Sequence, residues 1–120
     1  MLCLNIKRVM RLRGIEKHYN FLLNLGFVPS TANNFLRDEV TLFRLEQLEK
    51  LCVALNCTPN DLLEWKPNPN QPVGETHSMN NLKRQGDKDL PKLLNAVPME
   101  KFEQIVDILQ DLNKKPDETV

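Results

Sequence analysis

Apolar residues recur at helical spacing along the first part of this 120-residue chain. In residues 2–13, Leu4, Val9 and Leu12 form the apolar side of a predicted helix, with Met10 as a further candidate, and basic residues lie on the other side. Gly14 can end this helix, because glycine readily adopts the backbone angles found at helix C-termini. The pattern therefore predicts a helix here, and no segment of the chain requires a strand.

Two further helices flank a turn that contains glycine. The first covers residues 17–25 and stops at Gly26, and Pro29 suits the first turn of the next helix, residues 29–36. This third helix has a mixed surface of apolar and short polar residues. Its predicted inner side chains are Ala32, Phe35 and Leu36, and its outer side chains are Ser30, Thr31, Asn33 and Asn34.

A fourth helix over residues 44–56 has the most regular pattern, with leucines at helical spacing. Thr58 can cap a short fifth helix that begins at Pro59, and we expect this helix to end at Trp65. The predicted fold is therefore an all-α domain of five helices over residues 1–65.

The composition changes after Trp65. Residues 66–81 are rich in proline and asparagine, so we interpret them as a linker. Residues 82–120 return to helical periodicity as a C-terminal extension and end in a frayed tail. The apolar stripe of this extension comprises Phe102, Ile105, Val106, Leu109 and Leu112.

Charge is balanced overall but unevenly distributed. The chain has sixteen basic and sixteen acidic side chains, so its net charge alone gives no support to nucleic-acid binding. Residues 1–44 hold seven basic against three acidic side chains, a net charge of +4. This distribution can produce a basic face on a neutral protein. An ordinary solvated helix surface is the alternative.

Hydropathy and cysteine content indicate a soluble, cytoplasmic protein. No apolar run is long enough to span a membrane, and the N-terminus lacks the pattern of a signal peptide. The odd, sparse set of Cys3, Cys52 and Cys57 fits a reducing compartment. Cys52 and Cys57 have no metal-site spacing, so we interpret both as small core residues. We expect no metal, cofactor or small-molecule ligand.

The sequence contains no set of residues at a spacing that is typical of a catalytic site. The two histidines, His18 and His77, lie in different segments, and no nucleophile recurs beside a candidate base. The four glycines are scattered and form no phosphate-binding loop. The chain is therefore predicted not to be an enzyme.

The helices around Gly26 have the arrangement of a helix-turn-helix. Such a motif needs a sharp turn and a second helix that is held by one side and has short polar residues on the other. Asn33 and Asn34 can pair with adenine, and Ser30 and Thr31 can pair with several bases. The same pattern also occurs in helical proteins that bind no DNA, so the residue pattern leaves both interpretations open.

The segments "LNLGFVPSTANNFL" and "LFRLEQLEKLCVALNCTPNDLLEW" resemble the Cro and phage-repressor class of helix-turn-helix domains, often called the XRE family. Residues 45–63 carry the most specific part of the resemblance. It implies a five-helix domain over residues 1–65 that binds double-stranded DNA as a transcriptional regulator, most simply a repressor. It implies base contacts from Ser30, Thr31, Asn33 and Asn34, and phosphate contacts from Lys17, His18, Arg37 and Arg44.

The chain departs from the family pattern at several positions. Leu22 stands where the family favours alanine, and Val28 stands where a polar cap is common. Asp38 and Glu39 replace the usual glycine-containing loop, and we expect their charges to weaken binding to phosphates.

The C-terminal extension lies outside the resemblance. Its stripe within residues 82–113 can join two copies of the chain into a homodimer, or it can fold back onto its own domain. An alternative function for the chain is a protein-interaction adaptor or antitoxin-like module that uses this stripe as its partner surface.

Overall fold

The computed structural model describes residues 1–37, 40–84 and 90–114. The chain divides into two compact units, Met1–Asp87 and Lys88–Val120. The first unit contains β1 (Leu2–Leu4), α1 (Ile6–Leu12), α2 (His18–Asn24), α3 (Pro29–Phe35), α4 (Leu45–Leu55), α5 (Pro59–Leu62), β2 (Leu63–Trp65) and a 3₁₀ helix over Ser78–Leu82. The second unit contains α6 (Leu90–Asn95), a 3₁₀ helix over Met99–Lys101 and α7 (Phe102–Asn113).

The two short strands correct the prediction of an all-α domain. β1 and β2 pair antiparallel, with Leu2 opposite Trp65 and Leu4 opposite Leu63. The chain is mostly helical, and five α-helices do lie within the described part of residues 1–65, so the expected architecture is correct only in outline. The paired strands lie about 60 positions apart, so a local pattern could not reveal them.

The sheet also changes the limits of two predicted helices. The first helix begins at Ile6 rather than at residue 2, because the backbone before it belongs to the sheet. The Asn5 side chain accepts a hydrogen bond from the Arg8 N–H at 3.3 Å and so caps α1. The fifth helix ends at Leu62 instead of Trp65, since the next three residues form β2.

The first unit has one core, built mainly from aliphatic side chains. Met10 is fully buried, whereas Leu12, which the pattern placed on the inner side, is largely exposed. Leu45 is 79% exposed because it stands at the first position of α4, before the turn that packs inward. The core comprises Leu4, Ile6, Val9, Met10, Leu22, Phe27, Ala32, Phe35, Val40, Leu48, Leu51, Leu55 and Leu62.

Cys52 and Cys57 close the C-terminal end of α4. Asn56 has a left-handed backbone (φ +50°), and the Cys57 N–H donates to the Cys52 carbonyl at 3.1 Å. This is the backbone bonding of a Schellman motif, in which the two flanking side chains meet. The thiols are hydrogen-bonded to each other, and burial raises the pKa of Cys57 to about 11. Both pack against the core, but they are half-buried rather than fully internal.

The segment after β2 packs back onto β2 and α5 within the first unit. The Arg84 guanidinium donates to the carbonyl oxygens of Leu63, at 3.1 Å, and of Asn60. The Lys83 ammonium lies 5.6 Å from the centre of the Trp65 ring. These contacts attach the end of the segment to β2, while the assignment of residues 66–81 as a linker stays a prediction.

The second unit is small and has no deeply buried side chain among residues 90–114. On α7, Leu109 and Leu112 are 53% and 75% exposed, so part of the apolar stripe faces outward. No helix in the described ranges combines the length and apolarity needed to cross a bilayer.

Candidate nucleic-acid interface

The turn between α2 and α3 is fixed by backbone hydrogen bonds around Gly26. This residue has φ +100°, and its N–H donates to the Leu23 carbonyl at 3.0 Å. The Phe27 N–H donates to the Leu22 carbonyl at 3.3 Å, and both side chains lie in the core. This is a Schellman motif with its usual apolar contact, and it sets the direction in which the chain leaves α2.

The inner side of α3 is tightly held. Ala32 is completely buried and Phe35 is 2% exposed. The rings of Phe27 and Phe35 meet edge to face, with centroids 5.2 Å apart and an interplanar angle of 89°. The Lys50 ammonium lies over the Phe27 ring, 5.2 Å from its centre. The aromatic pair therefore connects the turn to α3.

The outer side of α3 carries the short polar residues predicted from the sequence. Ser30 and Asn33 are exposed, and Thr31 and Asn34 are half-buried. Ser30, Asn33, Asn34 and Arg37 follow the i, i+3, i+4, i+7 spacing that aligns side chains along one face. The short side chains leave the α3 backbone accessible to a flat or grooved partner.

The four predicted phosphate contacts lie at ends of helices. Exposed Lys17 precedes α2, and half-buried His18 is its first residue. Exposed Arg37 lies just beyond α3. Arg44 precedes α4, and its Nη1 lies 3.3 Å from Oε1 of Glu46, which partly compensates its charge. Asp38 and Glu39 lie outside the described residues.

Three further basic residues that were not selected from the sequence lie near Arg37. A cleft of about 350 Å³ lies beside the C-terminal end of α3, and we call it the basic cleft. Its charged lining residues are Lys7, Arg11, Arg37, Glu64 and Lys66. Lys7 and Arg11 are four positions apart on α1, which hinted at a common face, but nothing local connects them with Lys66.

Metal chemistry receives no support from the described ranges, in which no three His, Cys, Asp or Glu side chains gather as a ligand set. A family model described as the Cro/C1-type HTH DNA-binding domain matches residues 5–68. No curated protein and no solved structure matches the chain significantly. The matched range includes α2, the Gly26 turn and α3.

Proposed function

This chain belongs to the Cro/C1-type family of helix-turn-helix DNA-binding domains, and from that membership we propose a sequence-specific transcriptional repressor that reads duplex DNA with α3. The resemblance found in the sequence is thereby confirmed. The observation that carries the proposal is the asymmetry of α3. Its inner side is anchored by Ala32 and Phe35, while Ser30 and Asn33 are exposed on the opposite side.

Base recognition is assigned to Ser30, Thr31, Asn33 and Asn34. An asparagine amide presents a donor and an acceptor together, which matches the N6 and N7 groups of adenine in the major groove. Serine and threonine hydroxyls can serve as donor or acceptor and so accommodate several bases. Because the inner side of α3 is packed against the core, these amide and hydroxyl groups can reach only a few positions. This favours discrimination between DNA sequences.

We assign the affinity for the DNA phosphate backbone to Lys17, His18, Arg37 and Arg44. Cations at the ends of α2, α3 and α4 can contact phosphates on either side of a groove occupied by α3. The Glu46 carboxylate beside Arg44 offsets part of this attraction. Arg37 should therefore contribute more to the salt dependence of binding than Arg44 does.

Selection of bound sequences from random duplex DNA tests sequence specificity directly. With the selected site, Asn33→Ala together with Asn34→Ala should lower discrimination at a contacted base pair by about 5- to 150-fold, equivalent to about 1–3 kcal/mol. Asn24→Ala is the matched control, because this exposed asparagine is the last residue of α2 and lies outside the proposed reading helix. Unchanged discrimination in the double variant would show that α3 is not the reading helix.

Loss of a phosphate contact should change the salt dependence of DNA binding and leave its sequence specificity unchanged. Arg37→Ala should weaken binding to all sequences similarly and reduce the slope of log K against log salt by about 0.9. Lys101→Ala, an exposed cation in the second unit, is the control for overall charge. A loss of specificity without a change in slope would contradict the phosphate assignment of Arg37.

We further propose that the apolar stripe within residues 82–113 joins two copies into a homodimer, which would match a two-fold DNA site. The exposed Leu109 and Leu112 on α7 support this assignment. Sedimentation of the full chain should show a dimer that Leu112→Lys converts to a monomer. Val53, which lies on α4 in the first unit, is 78% exposed against 75% for Leu112, and Val53→Lys should remain dimeric. A monomeric wild type, or dissociation by Val53→Lys alone, would contradict the proposal.

A further inference from the structure

The N-terminal end of α3 is apolar, although the rest of its outer side is polar. Val28 stands at the N-cap position and Pro29 is the first residue of the helix, and both are exposed. The exposed fraction of Val28 is 58%, so its side chain is not held in the core. This end of the helix therefore presents two adjacent apolar residues to solvent, directly before Ser30.

Helix stability does not explain a valine at this position. Residues with a side-chain oxygen are preferred at the N-cap, where they accept a hydrogen bond from a backbone N–H of the first turn, and valine is among the least favoured. Among the described residues, no side chain caps α3 in this way. The backbone of Val28 is extended (φ −71°, ψ 156°), which is typical of an N-cap and would also suit serine. Positions that break such a local rule are expected at functional sites.

The position of Val28 indicates what its side chain can contact. A recognition helix approaches base edges with its N-terminal residues, and Ser30, the second residue of α3, is among the proposed base contacts. The C5-methyl group of thymine is the apolar group that base pairs present in the major groove, and apolar side chains contact it. A phosphate is a poor neighbour for the valine side chain, which can donate no hydrogen bond.

We propose that Val28 contacts the C5-methyl group of a thymine in the site read by α3 and thereby selects thymine at one position. This inference rests on the proposed DNA-binding function and adds an apolar contact to the hydrogen-bonding side chains of α3. Uracil lacks only this methyl group. Burial of the methyl group against the valine should therefore favour thymine over uracil by about 4-fold, equivalent to about 0.8 kcal/mol.

Uracil substitution in the selected site tests this contact with the full chain. Each thymine of that site is replaced singly by deoxyuridine, and binding is measured by anisotropy. At one thymine the wild type should bind the uracil duplex about 4-fold more weakly, whereas Val28→Ser should bind the two duplexes equally. Val53→Ser alters an exposed valine of α4 and should retain the wild-type ratio. Each ratio is taken within one variant, so a general change in affinity or folding cancels.

Urea denaturation provides a second measurement, which a structural role of Val28 would move in the opposite direction. Serine at the N-cap can accept a hydrogen bond from the first turn of α3. Val28→Ser should therefore raise the urea midpoint while it removes the preference for thymine. A lower midpoint would show that packing in the fold accounts for the valine, and this result would overturn the inference.

The outcomes separate this inference from the proposed function. If the selected site contains no thymine, or if no uracil substitution distinguishes the wild type from Val28→Ser, the assignment of Val28 is wrong. The chain still reads DNA in that case, provided that Asn33→Ala with Asn34→Ala lowers discrimination. If the wild type selects no sequence and binds no duplex at low salt, the proposed function itself fails.

Discussion

Replacing Gly26 by alanine should destabilise the domain through two separable effects. The backbone at this residue has φ +100°, outside the region that residues with a Cβ adopt easily. This cost is about 1–2 kcal/mol. The added Cβ would also stand 3.0 Å from the Lys50 ammonium, so the end of this side chain must shift by a few tenths of an ångström, which disturbs its contact with the Phe27 ring.

Movement of Lys50 adds a second, smaller cost. An exposed cation–π contact contributes about 0.5–1 kcal/mol, so Gly26→Ala should lower the free energy of unfolding by about 1.5–3 kcal/mol in total. Gly14→Ala is the matched control, because Gly14 also has a positive φ (+75°) but no atom lies within 4 Å of its added Cβ. This variant should carry only the backbone cost of about 1–2 kcal/mol.

Urea denaturation followed by circular dichroism measures both costs. Lys50→Met removes the cation, so the effect of Gly26→Ala should be smaller in that background by about 0.5–1 kcal/mol. Equal destabilisation by Gly26→Ala and Gly14→Ala would refute the contribution of the crowded lysine. An unchanged effect in the Lys50→Met background would refute the coupling between the turn and the Phe27 contact.

Three further predictions follow from charges and thiols. The Thr58 N–H, which donates to Asp61 at 2.9 Å, holds the pKa of that carboxyl below its usual 3.8. The stability from this bond is therefore present above pH 3.8 and lost as the pH falls, and Asp61→Asn should lose less stability than wild type between pH 7 and pH 3 in urea titrations. Burial raises the pKa of Cys57 from 9.0 to about 11, so the unfolded thiol ionises first and stability should fall between pH 9 and pH 11, less steeply in Cys57→Ala. Asp38→Asn with Glu39→Gln should strengthen binding to every duplex in anisotropy titrations, and weaker or unchanged binding would contradict the expected repulsion.

The helix-turn-helix could be predicted because its signals are local. Gly26 and Pro29 mark the turn and the start of α3 through their own backbone preferences. The spacing of Ala32 and Phe35 then assigns the inner side of that helix, and the structure buries both residues. The family match over residues 5–68 agrees with the resemblance that these residues carried.

Other features depend on pairs of residues that are distant in sequence. Three-residue strands carry no periodicity of their own, and β1 forms only because β2 is present to pair with it. Spacing placed Leu12 on the inner side and offered Met10 only as a further candidate, whereas in the structure Met10 is fully buried and Leu12 is 41% exposed. The local pattern predicted that residues of α1 are helical, but it did not predict which side of the helix the rest of the unit would bury.

The sequence by itself therefore determined the helices, the turn and the polar outer side of α3, because short-range backbone preferences and spacing set them. Only the tertiary structure decided where Lys66 would lie relative to Lys7, Arg11 and Arg37, since strand pairing across the whole first unit brings them together. The proposed base-contacting residues all belong to one helix, so their spacing in the sequence is enough to identify them. The charge around the basic cleft follows from which segments pack against each other.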